Sequence, residues 1–168
     1  MIEDRIQILD YIDVGQKAKE LGCNVPNKMC ILPRNFVSVT SKDELLHEEN
    51  TDTVTKVLKQ GGIEISPLEN ENEKFAQISE HDMIFAGPIL FFAAQWCLEH
   101  PEIVLQTIST ITGFLSKSLK GLSGGTVKLS VVTKNKSGKF RQVKYKGPVE
   151  GLKDLPDIVK STFEDDDS

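Results

Sequence analysis

From Met83 to Leu98 the chain reads MIFAGPILFFAAQWCL, sixteen residues without a charge in a sequence that is 27% Asp, Glu, Lys and Arg. Water disfavours so much contiguous apolar surface, so wherever this run goes becomes the centre of the fold or its main contact surface. Read as a helix, sixteen residues at 1.5 Å rise span about 24 Å. A bilayer core of ~30 Å needs about 20 apolar residues, so the run is short for a span, and Gly87-Pro88 and Gln95 interrupt it. Three destinations stay open: a buried core helix, a protein interface, or a membrane-facing segment. If it is a contact surface, Phe85, Phe91, Phe92 and Trp96 are its candidate apolar contacts.

A second helix follows. Pro101 suits a first helical turn, where its missing N–H costs nothing. Val104, Ile108, Ile111, Leu115 and Leu119 then form one stripe. The two segments make an apolar helical pair. GLSGG (Gly121 to Gly125) breaks it, and TVKLSVVT alternates with Val127, Leu129 and Val131 on one face. KNKSGK reads as a turn and FRQVKYK as the returning strand of a hairpin. A C-terminal helix over Leu152, Leu155, Ile158, Val159 and Phe163 closes the half, and residues 165–168 form an acidic tail.

The N-terminal half is more mixed. Residues 2–21 show helical spacing through Ile6, Leu9 and Val14, with Gly22 as a stop. Met29 to Leu32 reads as a buried strand between Pro26 and Pro33. Ser41 with Glu44 fits a capping box. Thr51 or Asp52 caps a helix carrying Val54, Val57 and Leu58 inward, ended by Gly61-Gly62, and Ile63 and Ile65 suggest a short strand. The expected fold class is α+β: helices with short strands, then the apolar helical pair, a basic β-hairpin and a C-terminal helix. The expected organisation is an N-terminal subdomain over 1–66, an acidic linker over 67–74 and a second subdomain over 75–164.

Charge is unevenly distributed. The first 82 residues hold 16 acids against 9 bases, a balance of −7. Between Thr126 and Lys146 lie seven bases and no acid: Lys128, Lys134, Lys136, Lys139, Arg141, Lys144 and Lys146. Strand alternation puts Lys128 opposite the Val127/Leu129/Val131 face and Lys144 opposite Val143/Tyr145, so these bases share the solvent face. The seven are the candidate partner contacts. An overall charge of −5 and only Phe140 and Tyr145 as local aromatics argue against a nucleic-acid partner. Another protein or an anionic membrane surface remains, as does a second copy of the chain.

Motifs for catalysis, metals and cofactors fail on context. GLSGG matches the nucleophile-elbow pattern, but it follows a helix and precedes a strand, the reverse of what an elbow needs. The same loop cannot cradle phosphate from a helix N-terminus, because it follows a helix C-terminus. His47-Glu48-Glu49 has no second histidine at zincin spacing, and His81 and His100 stand apart. Cys23, Cys30 and Cys97 form no C-x-x-C pair and read as reduced, mostly buried thiols. With two acids in its first four residues the chain lacks the start of a secretory signal, so residence on the cytoplasmic side is expected, including at the inner face of a membrane.

LSKSLKGLSGGTVKLSVVT, KFRQVKYKGPVEGL and DLPDIVKSTF carry a resemblance, over about residues 83–163, to effector-associated accessory components of bacterial conflict and defence systems. These place a short apolar helical segment before a basic strand hairpin and a closing helix. The resemblance implies a non-enzymatic adaptor or regulator acting by protein contact. Two other readings stand beside it: a peripheral membrane protein using the 83–119 helices with basic support, and an enzyme with a dispersed site. The last requires a concave pocket lined by His47, His81 or His100 together with carboxylates.

Overall fold

The computed structural model describes residues 5–79, 84–118 and 125–164. The fold is α+β, built on a five-stranded mixed sheet. In chain order the elements are β1 (Ile6–Asp10), α1 (Val14–Leu21), β2 (Met29–Leu32), a 3-10 turn (Lys42–Glu44), β3 (Leu46–His47), α2 (Thr51–Gln60) and β4 (Ala76–Gln77). They continue as β5 (Ile84–Phe92), α3 (Ala94–Glu99), α4 (Ile103–Ser118), β6 (Thr126–Lys134), β7 (Phe140–Pro148), a 3-10 turn (Val149–Asp154) and α5 (Leu155–Glu164).

The sheet order is β1-β7-β6-β5-β2, with only β5 and β6 parallel. The α3–α4 segment supplies the crossover that a parallel pair requires. β3 and β4 form a separate two-residue parallel ladder.

The uncharged run is therefore not a helix. Its greater part is β5, and only its last five residues, Ala94 to Leu98, are helical, in α3. β5 lies between β6 and β2 and is covered on both faces, so it shows a continuous apolar run instead of alternation. A short apolar run of this kind has no period to separate strand from helix. Gly87 and Pro88 fall where the β5–β6 register shifts between Ala86 and Ile89. Proline has no N–H for the ladder, and a Cβ on Gly87 would sit 2.8 Å from the Lys128 carbonyl oxygen, so both belong at this irregularity. The segment 2–21 also divides: β1 comes first, and the helix starts only after Asp13, whose carboxylate accepts from Gln16 N–H at 3.0 Å. Gly22 ends α1 at φ 74°, as expected of a left-handed cap.

Two apolar layers hold the sheet. On one face Phe92, Leu90, Val131 and Val143 pack with Leu58 of α2, Ile108, Ile111 and Leu115 of α4, and Leu155 and Val159 of α5. On the other face Cys30, Leu32, Phe91 and Val132 pack with Val14, Ala18 and Leu21 of α1 and with Phe36, Leu45, Leu68 and Phe75. The expected division at residues 67–74 is not a division of the sheet, which hydrogen-bonds strands from both sides of it. Nor does that segment hang free as a linker. Leu68 is buried, Asn24 donates from its backbone to Leu68 O and from its side chain to Glu69 O, and Glu73 pairs with Lys42 at 2.9 Å. Ile65 makes a single bridge to Met29 and not a strand.

Cys23 and Cys30 are buried, Cys97 is half-buried, and all three are free thiols. Burial raises each pKa, that of Cys97 to about 11.

Two leucines of the uncharged run test its placement. Leu90 is fully buried in β5 and Leu98 is 62% exposed in α3. Leu90→Ala is expected to cost about 2–5 kcal/mol in urea denaturation and Leu98→Ala less than about 0.5 kcal/mol. Equal costs would contradict the strand assignment.

Candidate functional site

α1 and the chain around Phe36 cover only part of the second sheet face. Gln7 of β1, Gln142, Lys144 and Lys146 of β7, and Lys128 and Ser130 of β6 line the rest, with Arg34 and Glu48 at one side and Arg5 at another. They bound a shallow concavity of about 810 Å³.

Its geometry follows from the register. Lys128 stands directly opposite Lys146, and Lys144 opposite both Ser130 and Gln7. Side chains alternate across a strand, so Lys128, Lys144 and Lys146 share one face while Val127, Leu129, Val143 and Tyr145 point into the helix-covered core. All three lysines are exposed, and no ion pair among the described residues involves them. Glu48, the one acid of the lining, is paired with Arg34. Among the described residues the concavity is thus positive and uncompensated from within.

The seven expected contact bases separate into three groups. Lys128, Lys144 and Lys146 form the patch just described. Lys134, Lys136 and Lys139 belong to the far end of the hairpin: Lys134 lies 5.7 Å from the Phe140 ring centroid, while Asn135 N–H donates to Lys139 O and Lys136 N–H to Phe163 O. Arg141 leaves the set. It is on the helix-side register of β7, where it pairs with Asp10 of β1. A base matched within the fold offers no free charge to a partner.

The expected apolar contacts are interior side chains. Phe91, Phe92 and Trp96 are buried and Phe85 packs half-buried against the same core. The reason is the position of β5 in the middle of the sheet. Those four side chains are therefore not a contact surface; among the described residues Leu98 of α3 and Leu105 of α4 are the exposed large apolar side chains of the 83–119 segment, and no described helix is long and apolar enough to cross a membrane. The apolar helical segment that carried part of the resemblance to defence-system components is likewise mostly strand.

His100 lies in the α3–α4 turn with its ring 5.3 Å from that of Trp96. His81 and Gly121–Gly124 lie outside the described residues. His47 is buried at 6% exposure and lines a polar cavity together with Asp52 and Glu69. A cavity with His47 and carboxylates is what the dispersed-site reading required; the sequence could name His47 but not its neighbours, because they come from β3, α2 and the 67–77 segment, which only tertiary packing brings together. Arg34, Gln7 and Gln142 were missed at the basic face for a related reason: β1 read as helix, so its pairing with β7 had no signal.

Asn135 accepts at Oδ1 from Ser137 and Lys139 backbone N–H groups and is buried, so its side chain holds the hairpin turn. Compared with protein-family models, curated proteins and solved structures, the chain has no significant match.

Like charges directly opposed across a strand pair destabilise it. Lys128→Glu is therefore expected to raise stability by roughly 0.2–1 kcal/mol at low salt. The gain should shrink in 1 M salt, where the screening length falls to ~3 Å. Urea midpoints at the two salt concentrations check this.

Proposed function

We propose that this chain is a docking protein, an adaptor or regulatory component that seats an acidic, extended segment of a partner protein on the open basic half of its sheet. The observation that carries the reading is the Lys128–Lys146 juxtaposition with Lys144 beside it, exposed and without an ion pair among the described residues. A sheet that needed only stability would gain from an acid at any of these positions. Keeping three bases there is the stability cost that a functional surface commonly carries. Charge complementarity of this kind sets specificity and association rate.

A protein partner suits the face better than nucleic acid. The centre of the open patch is lined by lysine, glutamine and serine, without the successive aromatic side chains on which bases stack. The role agrees with what the resemblance of residues 83–163 implies, an accessory component that positions an effector. The surface stands as the argument without it.

The test is fluorescence anisotropy with a labelled deca-glutamate peptide, a single-stranded oligonucleotide of equal charge, and anionic lipid vesicles as competitors. Binding of the peptide is expected to weaken with salt. It should fall at least about tenfold in the Lys128→Glu/Lys144→Glu/Lys146→Glu variant, since each exposed pair contributes ~0.2–1 kcal/mol and each is turned from attractive to repulsive. Lys134→Glu/Lys139→Glu should bind nearly as the parent does. Equal binding by parent and triple variant, or tighter binding of oligonucleotide or vesicle than of peptide, would overturn the assignment.

A further inference from the structure

The five-stranded sheet has two edges, β1 and β2, and they differ. All four residues of β2 are buried, Ile65 bridges to Met29, and Met29 O accepts from Ser66 N–H at 2.7 Å. On β1 the residues Gln7 to Asp10 are all exposed, and among the described residues no strand pairs with its outer side. Tyr11 N–H donates to Phe140 O at 2.9 Å, one step beyond the Asp10–Arg141 pair of the β1–β7 ladder. Hydrogen-bonded pairs alternate along an antiparallel ladder, so Gln7, Leu9 and Tyr11 direct their N–H and C=O groups to β7. Ile6, Ile8 and Asp10 direct theirs outward.

An open edge is a template for another strand, and folded proteins usually blunt it with lysine, proline or a bulge. β1 carries none of these: its sequence is IQILD, and its register with β7 runs without a break. Its one charge, on Asp10, is already paired with Arg141. Instead it shows water two large apolar side chains, Ile8 at 52% exposure and Leu9 at 42%. Alternation puts Ile8 on the helix side, opposite Val143, and Gln7 and Leu9 on the open side. Lys144 stands opposite Gln7, so the edge runs directly into the basic face. Arg5, just before the strand, lines the same concavity.

We infer that the outer edge of β1 takes up the partner protein as a sixth, antiparallel strand in which acidic and apolar residues alternate. The inference rests on the docking reading above and specifies how the acidic segment is held. Main-chain bonds to Ile6, Ile8 and Asp10 supply affinity, and the alternating side chains set the register. A residue placed opposite Ile8 lies on the helix side and covers it, so it is apolar. Its two neighbours fall on the open side. The added strand lies ~4.8 Å beyond β1 and so roughly 10 Å from β7. A glutamate and a lysine reaching toward each other across Gln7 span that gap, which makes these neighbours acidic. Antiparallel addition repeats the pairing that β1 already has with β7 and is the more stable form. A second copy of the chain fits the edge less well. Antiparallel pairing of two β1 strands about Ile8 brings both basic faces side by side on one surface, like sign beside like.

The experiment measures binding of a labelled eight-residue peptide of alternating glutamate and valine to the full chain by fluorescence anisotropy. An isomer with four glutamates followed by four valines is expected to bind at least about tenfold more weakly. A valine opposite Ile8 shares its hydrogen-bonded pair. N-methylation of the valines should therefore weaken binding at least about tenfold, while N-methylation of the glutamates leaves it within about twofold. Ile8→Pro removes an outward N–H and no ladder bond, and should weaken binding of the unmodified peptide. Equal effects of the two methylation patterns, or a larger effect at glutamate, would overturn the inference, and the peptide series decides this whether or not Ile8→Pro folds. An Ile8-dependent dimer in sedimentation that the peptide does not dissociate would also overturn it. Loss of binding in the triple lysine variant without any methylation effect would overturn strand addition and leave the docking face standing. Undiminished binding of the alternating peptide in that variant would overturn the docking face, and with it the acidic character of the added strand.

Discussion

Everything in this fold depends on burying β5 from both sides. Leu90 and Phe92 face the helical layer and Phe91 faces the α1 layer, and all three are almost fully removed from water. Burial contributes roughly 1.5–3 kcal/mol for each fully buried large side chain, and β5 makes that contribution to both layers at once. The topology answers that demand. β6 and β2 flank the strand, α2, α4 and α5 close one face, and α1 with the Phe36 and Phe75 segments closes the other.

The same arrangement explains where the surface chemistry ends up. One short helix and its neighbouring loops cannot cover the second face of a five-stranded sheet, so the β1–β7–β6 side stays open. Strand alternation then presents the outward residues of β6 and β7 there as a unit, and those residues are lysines. A positive patch emerges within a chain of net charge −5 because, among the described residues, the acids lie elsewhere or, like Asp10 and Glu48, are already paired. The helical layer and the basic face are two consequences of one imbalance in coverage.

Much of this was readable from residue pattern. The hairpin, α2 with its Gly61-Gly62 stop, the buried Met29–Leu32 strand and the closing helix each carry a local signal, a period or a cap, that tertiary structure leaves intact. β5 carried none: a run apolar on every side is compatible with a core helix or a central strand, and its flanking length favoured the wrong one. β1 was lost because Ile6, Leu9 and Val14 fall by chance at helical spacing across a strand–turn–helix boundary that Asp13 alone marks. The lysine face was half legible, since alternation placed Lys128 and Lys144 correctly, but nothing local could show that Asp10 neutralises Arg141. His47 was named in the sequence as a pocket candidate, but the rest of its cavity was illegible because the lining is assembled from separated segments.

Lysine footprinting tests the central claim most directly. Acetylation rates of individual lysines would be measured by mass spectrometry in the free chain and with saturating deca-glutamate peptide. The account predicts strong protection of Lys128, Lys144 and Lys146, with Lys134, Lys139 and Lys59 reacting as before. Protection spread evenly over all lysines, or confined to the hairpin tip, would contradict it.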